Sequence, residues 1–195
     1  MLSEAGLNVH HHSGMEVLES KVPRMDADVL LFHHGYAPPA TVPEINDVAS
    51  DEGALNLLNA TLFFFEVKSA ISGRDNAHAD QRFIEIKQQI DKHVQVWREI
   101  KRAPAKFTIK SRFGEPSPIS HFTSARYFVY GVSSPLMNPY VENKFLRSDP
   151  PVLPFRLSGT RYVPVGDATT GRPATVIPNG PLSLFFRLKP FLRLW

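Results

Sequence analysis

The chain contains no cysteine among its 195 residues. That excludes disulfide frameworks, thiolate zinc sites, iron–sulfur clusters and cysteine nucleophiles, so any metal must sit on oxygen or histidine. No apolar run approaches the roughly 18 residues needed to span a bilayer. The start, Met1-Leu2-Ser3-Glu4-Ala5-Gly6, lacks the basic and then apolar layout of a secretory signal. The expectation is a protein of the cytoplasm or nucleus with no membrane partner. Also missing are GxxxxGK[ST], GxGxxG, GxSxG and HExxH, which disfavours nucleotide hydrolases, dinucleotide enzymes, α/β hydrolases and zinc proteases.

What is present is an ordinary globular composition, 43% apolar and 21% charged, with a net charge of only +3. One compact domain with room for an extension is the default at this size. The charge is unevenly placed. Residues 146–195 hold seven basic side chains against two acids, whereas the first 145 hold 15 against 17. A basic C-terminal part suits an acidic partner, nucleic acid or a membrane surface, or is simply a soluble basic tail.

The apolar pattern predicts a sequence of elements. Residues 1–14, with His10-His11-His12, read as a loosely held start, followed by a segment at 14–22 that fits a strand or a short helix ended by Pro23. Asp26-Ala27-Asp28-Val29-Leu30-Leu31-Phe32 reads as a buried strand that turns at His33-His34-Gly35. Ser50 caps a short helix carrying Asp51, Glu52, Leu55, Leu57 and Leu58. Thr61-Leu62-Phe63-Phe64-Phe65 is the strongest strand signal. From Ala79 to Lys101, Phe83, Ile86, Ile90, Val94 and Trp97 recur at helical spacing, and Pro104 ends the run. Strands follow at 106–110 and 125–132. Beyond Ser134 the texture changes, with ten of the seventeen prolines. The reading is an α/β fold: a core over 1–134 with a mixed sheet and a helix across one face, and a basic, Pro-rich extension over 135–195 that packs on the core or forms a small β-rich lobe.

Glu-x-Lys occurs five times, so the triplet alone says nothing. The copy at 66–68 differs in context. It leaves a buried strand, where alternation sends Glu66 and Lys68 to one face and Val67 to the other. Asp28 opens the preceding apolar strand. If the two strands are neighbours, Asp28 and Glu66 meet at one end of the sheet. Two carboxylates held close repel unless a proton or cation intervenes, which points to a hard divalent ion such as Mg²⁺ or Mn²⁺. A solvated charge cluster at a strand end is the other reading of the same residues.

The order Asp28-Val29-Leu30-Leu31, then Leu62-Phe63-Phe64-Phe65-Glu66-Val67-Lys68-Ser69, then a long amphipathic helix and another apolar strand, resembles the PD-(D/E)xK nuclease superfamily over roughly residues 14–134. The resemblance implies a restriction-endonuclease-like αβββαβ core. It implies that Asp28 and Glu66, with the Val67 carbonyl, bind Mg²⁺ or Mn²⁺, and that Lys68 assists the attacking water. Asp26 competes with Asp28 for the same role. Some members place Gln-x-x-x-Tyr on the following helix; here Gln89-Ile90-Asp91-Lys92-His93 keeps the glutamine and replaces the tyrosine with histidine. Gln89 is equally readable as a border residue shielding the core. The helix-borne acid many members carry upstream has Glu4, Glu16 and Glu19 as counterparts, and His10 to His12 are a remoter metal candidate. Phe185-Phe186 beside Arg187 could stack on bases.

The function these residues imply is phosphodiester hydrolysis of DNA or RNA, by a monomer or a homodimer. The competing reading is a catalytically inactive nucleic-acid-binding or protein-interaction module on the same sheet.

Overall fold

A computed structural model describes residues 6–33, 37–69, 71, 75–158, 161–164 and 180–195. Strands β1 (Val9–Glu19) and β2 (Val22–His33) form a long antiparallel ribbon, followed by helix α1 (Asp51–Asn59) and strand β3 (Thr61–Val67). Helix α2 (Asn76–Arg102) leads to strands β4 (Phe107–Ser111) and β5 (Ser117–Pro118), then β6 (Tyr127–Ser133) and helix α3 (Pro139–Leu146). Strands β7 (Leu153–Ser158) and β8 (Arg161–Pro164), helix α4 (Pro181–Leu188) and strand β9 (Arg193–Leu194) complete the described chain.

The strands form one mixed sheet in the order β5-β4-β1-β2-β3-β6-β7-β8, with β9 pairing alongside β6. β3 is antiparallel to β2 and parallel to β6. Lying between them, it is buried on both faces, which explains its nearly unbroken apolar run. Leu62 and Phe64 point to one face, where they meet Ile86, Ile90, Val94 and Trp97 of α2. Phe63 points to the other, toward Leu57 and Leu58 of α1 and Leu184, Phe185 and Leu188 of α4. The stripe read from the sequence is therefore the face α2 presents to the sheet, with Phe83 only partly buried at its edge.

The helix starts are fixed by the residue types that favour them. The Ser50 hydroxyl accepts from Gly53 N, the Asp75 carboxylate from His78 N, and the Asn138 side chain from Tyr140 N. α4 has no side-chain cap of its own; instead Asp51, in the first turn of α1, accepts from Leu182 N at 2.9 Å. The Pro-rich segment is not a separate layer: β7 extends the sheet beside β6, α3 packs with α2, and α4 packs with α1.

Several local expectations differ from what forms. Pro23 lies inside β2, opposite Leu18 where the ribbon register shifts, and does not close the preceding element. His10, His11 and His12 belong to β1, paired with Phe32, Leu31 and Leu30. Among the described residues no helix precedes β1. The short helix α1 instead enters between β2 and β3, on the face opposite α2.

Candidate functional site at the end of β3

The end of β3 is shaped by a break in its neighbour. Along β2 the buried positions are Met25 and Ala27, then Leu30 and Phe32, so the alternation slips across half-buried Asp28 and Val29. At the same level of β1, Gly14 adopts φ +57, a left-handed conformation that glycine adopts at little cost. The β2–β3 ladder accordingly stops at Val29 and Phe65. Val67 N–H, left without a backbone acceptor on that side, donates to Asp28 Oδ2 at 2.8 Å. One side chain thus replaces a ladder bond and is pinned beside the end of β3.

Two residues after Phe64 and on the same face as Leu62 and Phe64, Glu66 points inward and is 2% exposed. Gln89 and His93, at i and i+4 on α2, share the helix side that meets it. Gln89 Nε2 donates to Glu66 Oε1 at 2.6 Å, and the Lys68 ammonium pairs with the same oxygen. Glu66 Oε2 is buried with no hydrogen-bond partner, and His93 Nδ1 lies 3.6 Å away. Burial pushes the Glu66 carboxyl above its usual range against the opposing hydrogen bond from Lys68, and the charge of Asp28 raises it further. Lys68 itself remains about one-third exposed and is held by its own N–H, which donates to Ser133 O at 2.8 Å.

His93 and Tyr130 OH share a 2.8 Å hydrogen bond. Burial lowers the imidazole to about 4, so the ring is neutral at pH 7, and burial together with Glu66 and Asp28 holds the Tyr130 phenol well above its usual value. The pair walls the carboxylate off from the core, with Phe64 packed against both rings at centroid distances of 5.5 and 4.5 Å.

Asp28, Glu66, Lys68 and Gln89 therefore converge. Gln89 is half-buried at the border of the α2 stripe and also donates to the Glu66 carboxylate. Asp26 is exposed on β2, outside this set of contacts. Glu16 and Glu19 lie on β1 and not on a helix, and they pair with Lys110 at 3.0 Å and with Arg24, respectively. Glu4, His34 and Arg172 lie outside the described residues. Phe185 is fully buried in the α1–α4 core, so it is not available for stacking, whereas Phe186 is exposed. His93 is the residue that stands in place of the motif's tyrosine, whereas Tyr130 escapes a reading by motif; its only signal is its place in the apolar run of β6.

Among the described residues no group of three His, Asp or Glu side chains stands as a ready metal cage. The donors at this end of the sheet are two carboxylates and the Val67 carbonyl. They suit a hard cation: two negative groups face one ammonium, and the buried Oε2 lacks a partner. No helix of the described residues is long and apolar enough to cross a membrane. Comparison of the chain with protein-family models, with curated proteins and with solved structures finds no match.

Proposed function

We propose that this chain is a Mg²⁺- or Mn²⁺-dependent nuclease on a restriction-endonuclease-like sheet. The observation that carries the reading is the Glu66 carboxylate, 2% exposed, with one oxygen unsatisfied and Asp28, Lys68 and Gln89 gathered around it. Burying an ionised group with an open lone pair costs stability, which proteins retain where chemistry needs it. The neighbouring strands β1-β2-β3, the helix α2 after β3 and the strand β6 parallel to β3 support the resemblance, with α1 inserted between β2 and β3 and β4 and β5 inserted between α2 and β6.

Asp28, Glu66 and the Val67 carbonyl would hold the cation, which supplies Lewis acidity toward a phosphodiester oxygen and lowers the pKa of water. The chain's own residues do the rest. Gln89 fixes the rotamer of Glu66 by donating to Oε1. Asp28, reaching from β2 to the Val67 N–H of β3, keeps its carboxylate at the same place. Lys68, with its ammonium at the exposed rim, orients the attacking water and balances the negative charge that grows on the phosphoryl oxygens.

The test is incubation of labelled single- and double-stranded DNA and RNA with Mn²⁺ or Mg²⁺, in parallel with EDTA, Lys68→Ala and Glu66→Gln. Cutting that needs the metal and drops by roughly 10²-fold or more in both variants supports the proposal. Cutting that survives EDTA or either variant refutes it, and binding without cutting by the wild type assigns the chain to the inactive module.

A further inference from the structure

The strongest unexplained surface feature is the turn between β4 and β5. Ser111 O accepts from Gly114 N at 3.1 Å, closing a four-residue turn with Arg112 and Phe113 at its centre. A Cβ on Gly114 would lie 2.3 Å from Ser111 Oγ, a side-chain tip that can turn away, so the turn is tight. Phe113 is 94% exposed, the most exposed large apolar residue described, and the Arg112 guanidinium lies 5.6 Å from its ring centroid. A large ring held in water on a closed turn, with a cation beside it, is already arranged for a flat, negatively charged ligand and loses little entropy on binding one.

The surroundings say which ligand. Residues 101–115 contain five cations, Lys101, Arg102, Lys106, Lys110 and Arg112, and one acid, Glu115, which follows the turn. Lys101 turns in to the Thr123 and Ala125 carbonyls and Lys110 pairs with Glu16. Arg102, Lys106 and Arg112 are exposed, with no carboxylate partner among the described residues; Arg112 is in the turn, and Arg102 and Lys106 lie at the other end of β4, roughly 20 Å along the same edge. The turn also lies near the proposed site. Ser111 is opposite Met15, and Met15 is opposite Ala27, the neighbour of Asp28, so two strand spacings of about 5 Å separate the start of the turn from that strand. We propose that Phe113 stacks on an unpaired base of a single-stranded nucleic acid, with Arg112 and the cations of 102–106 on its phosphates, and that this edge leads the strand toward Glu66. The identity of the ligand rests on the nuclease reading; the stacking site does not require cutting.

Binding is measured by fluorescence anisotropy on the full chain in EDTA, with labelled single-stranded DNA and RNA oligonucleotides and the matching duplexes. Phe113→Ala should weaken single-strand binding roughly 5- to 100-fold, the range of one lost base stack, and duplex binding less than twofold. Phe113→Trp should restore affinity, with its fluorescence quenched on binding, and Arg112→Gln should reduce the slope of log affinity against log salt by about 0.7. Unchanged affinity in Phe113→Ala, equal loss for single strand and duplex, or no single-strand binding by the wild type overturns the inference. So does Phe113-dependent binding to anionic phospholipid vesicles with unchanged nucleic-acid affinity. Metal-dependent cutting by a wild type whose Phe113→Ala variant binds normally would sink this inference alone. Phe113-dependent binding without cutting would sink the nuclease reading alone.

Discussion

Replacing Glu66 with glutamine should raise stability while removing activity, an outcome that separates a metal-seeking carboxylate from a structural ion pair. In the metal-free protein the carboxylate is desolvated, one oxygen has no partner, and Asp28 repels it. Glutamine puts an NH₂ where Oε2 stood, within reach of the Asp28 carboxylate, so what the substitution removes is the buried charge and its repulsion by Asp28, worth about 1–3 kcal/mol. The opposing loss is the Lys68 contact, a pair whose ammonium is about one-third exposed and which is therefore worth about 0–1 kcal/mol. The Gln89 bond survives, because the amide oxygen still accepts. The net expectation in EDTA at pH 8 is stabilisation by about 1 kcal/mol, or a melting shift of roughly 2–4 °C for a chain of this size. The sign follows from linkage. A carboxyl whose folded pKa is raised destabilises the native state as pH rises from the unfolded value of 4.5 through the folded one, so the advantage of Glu66→Gln should vanish near pH 4. With Mn²⁺ at about 100 times its dissociation constant, the wild type should gain about 2.7 kcal/mol and the variant none. Destabilisation of the variant by more than about 1 kcal/mol in EDTA, or equal stabilisation of both proteins by the metal, would refute the reasoning.

Other perturbations follow from single contacts. Gly131→Ala places a Cβ 2.4 Å from the Phe65 ring and 3.1 Å from Leu153 O, and should cost about 1–3 kcal/mol in urea denaturation, with part of the loss recovered by adding Phe65→Leu. Burial, with the charges of His10, His121 and His11, lowers His12 to about 4 from 6.5, so it folds neutral. Stability is then full above pH 6.5 and falls as pH drops toward 4, by about 1–2 kcal/mol after allowance for its partial exposure, and His12→Gln should flatten that part of the urea midpoint–pH curve. Asp51→Ala should cost about 1 kcal/mol and raise amide exchange at Leu182, because the same carboxylate serves the first turn of α1 and the start of α4.

Much of the sheet was legible because its central members are strongly patterned. The run 61–65 is buried on both faces as β3, and the spacing of Ile86, Ile90, Val94 and Trp97 describes the side α2 turns to it. Ser50 sits where a helix start needs an acceptor, whereas the caps Asp75 and Asn138 emerge only with the folded chain. The β1–β2 ribbon was less readable. Its alternation slips at Gly14 and at Asp28–Val29, and a period that changes phase within a strand looks like no period. In the Pro-rich segment composition left two readings open. Among its described prolines, Pro139 and Pro181 start helices and Pro154 and Pro164 lie in β7 and β8, while Val141, Phe145, Leu184 and Phe185 are core.

Local chemistry alone determined that Glu66 and Lys68 leave a buried strand on one face, and that no thiol takes part in whatever they do. Only the folded chain decided which acid joins them. Asp26 and Asp28 are equivalent as sequence, and the choice falls on Asp28 because the ladder ends one residue later and exposes the Val67 N–H it satisfies. Likewise nothing local ties Gln89 to Glu66 or His93 to Tyr130, residues 23 and 37 positions apart. Those contacts depend on where α2 crosses the sheet, a quantity set by the packing of all its buried side chains together.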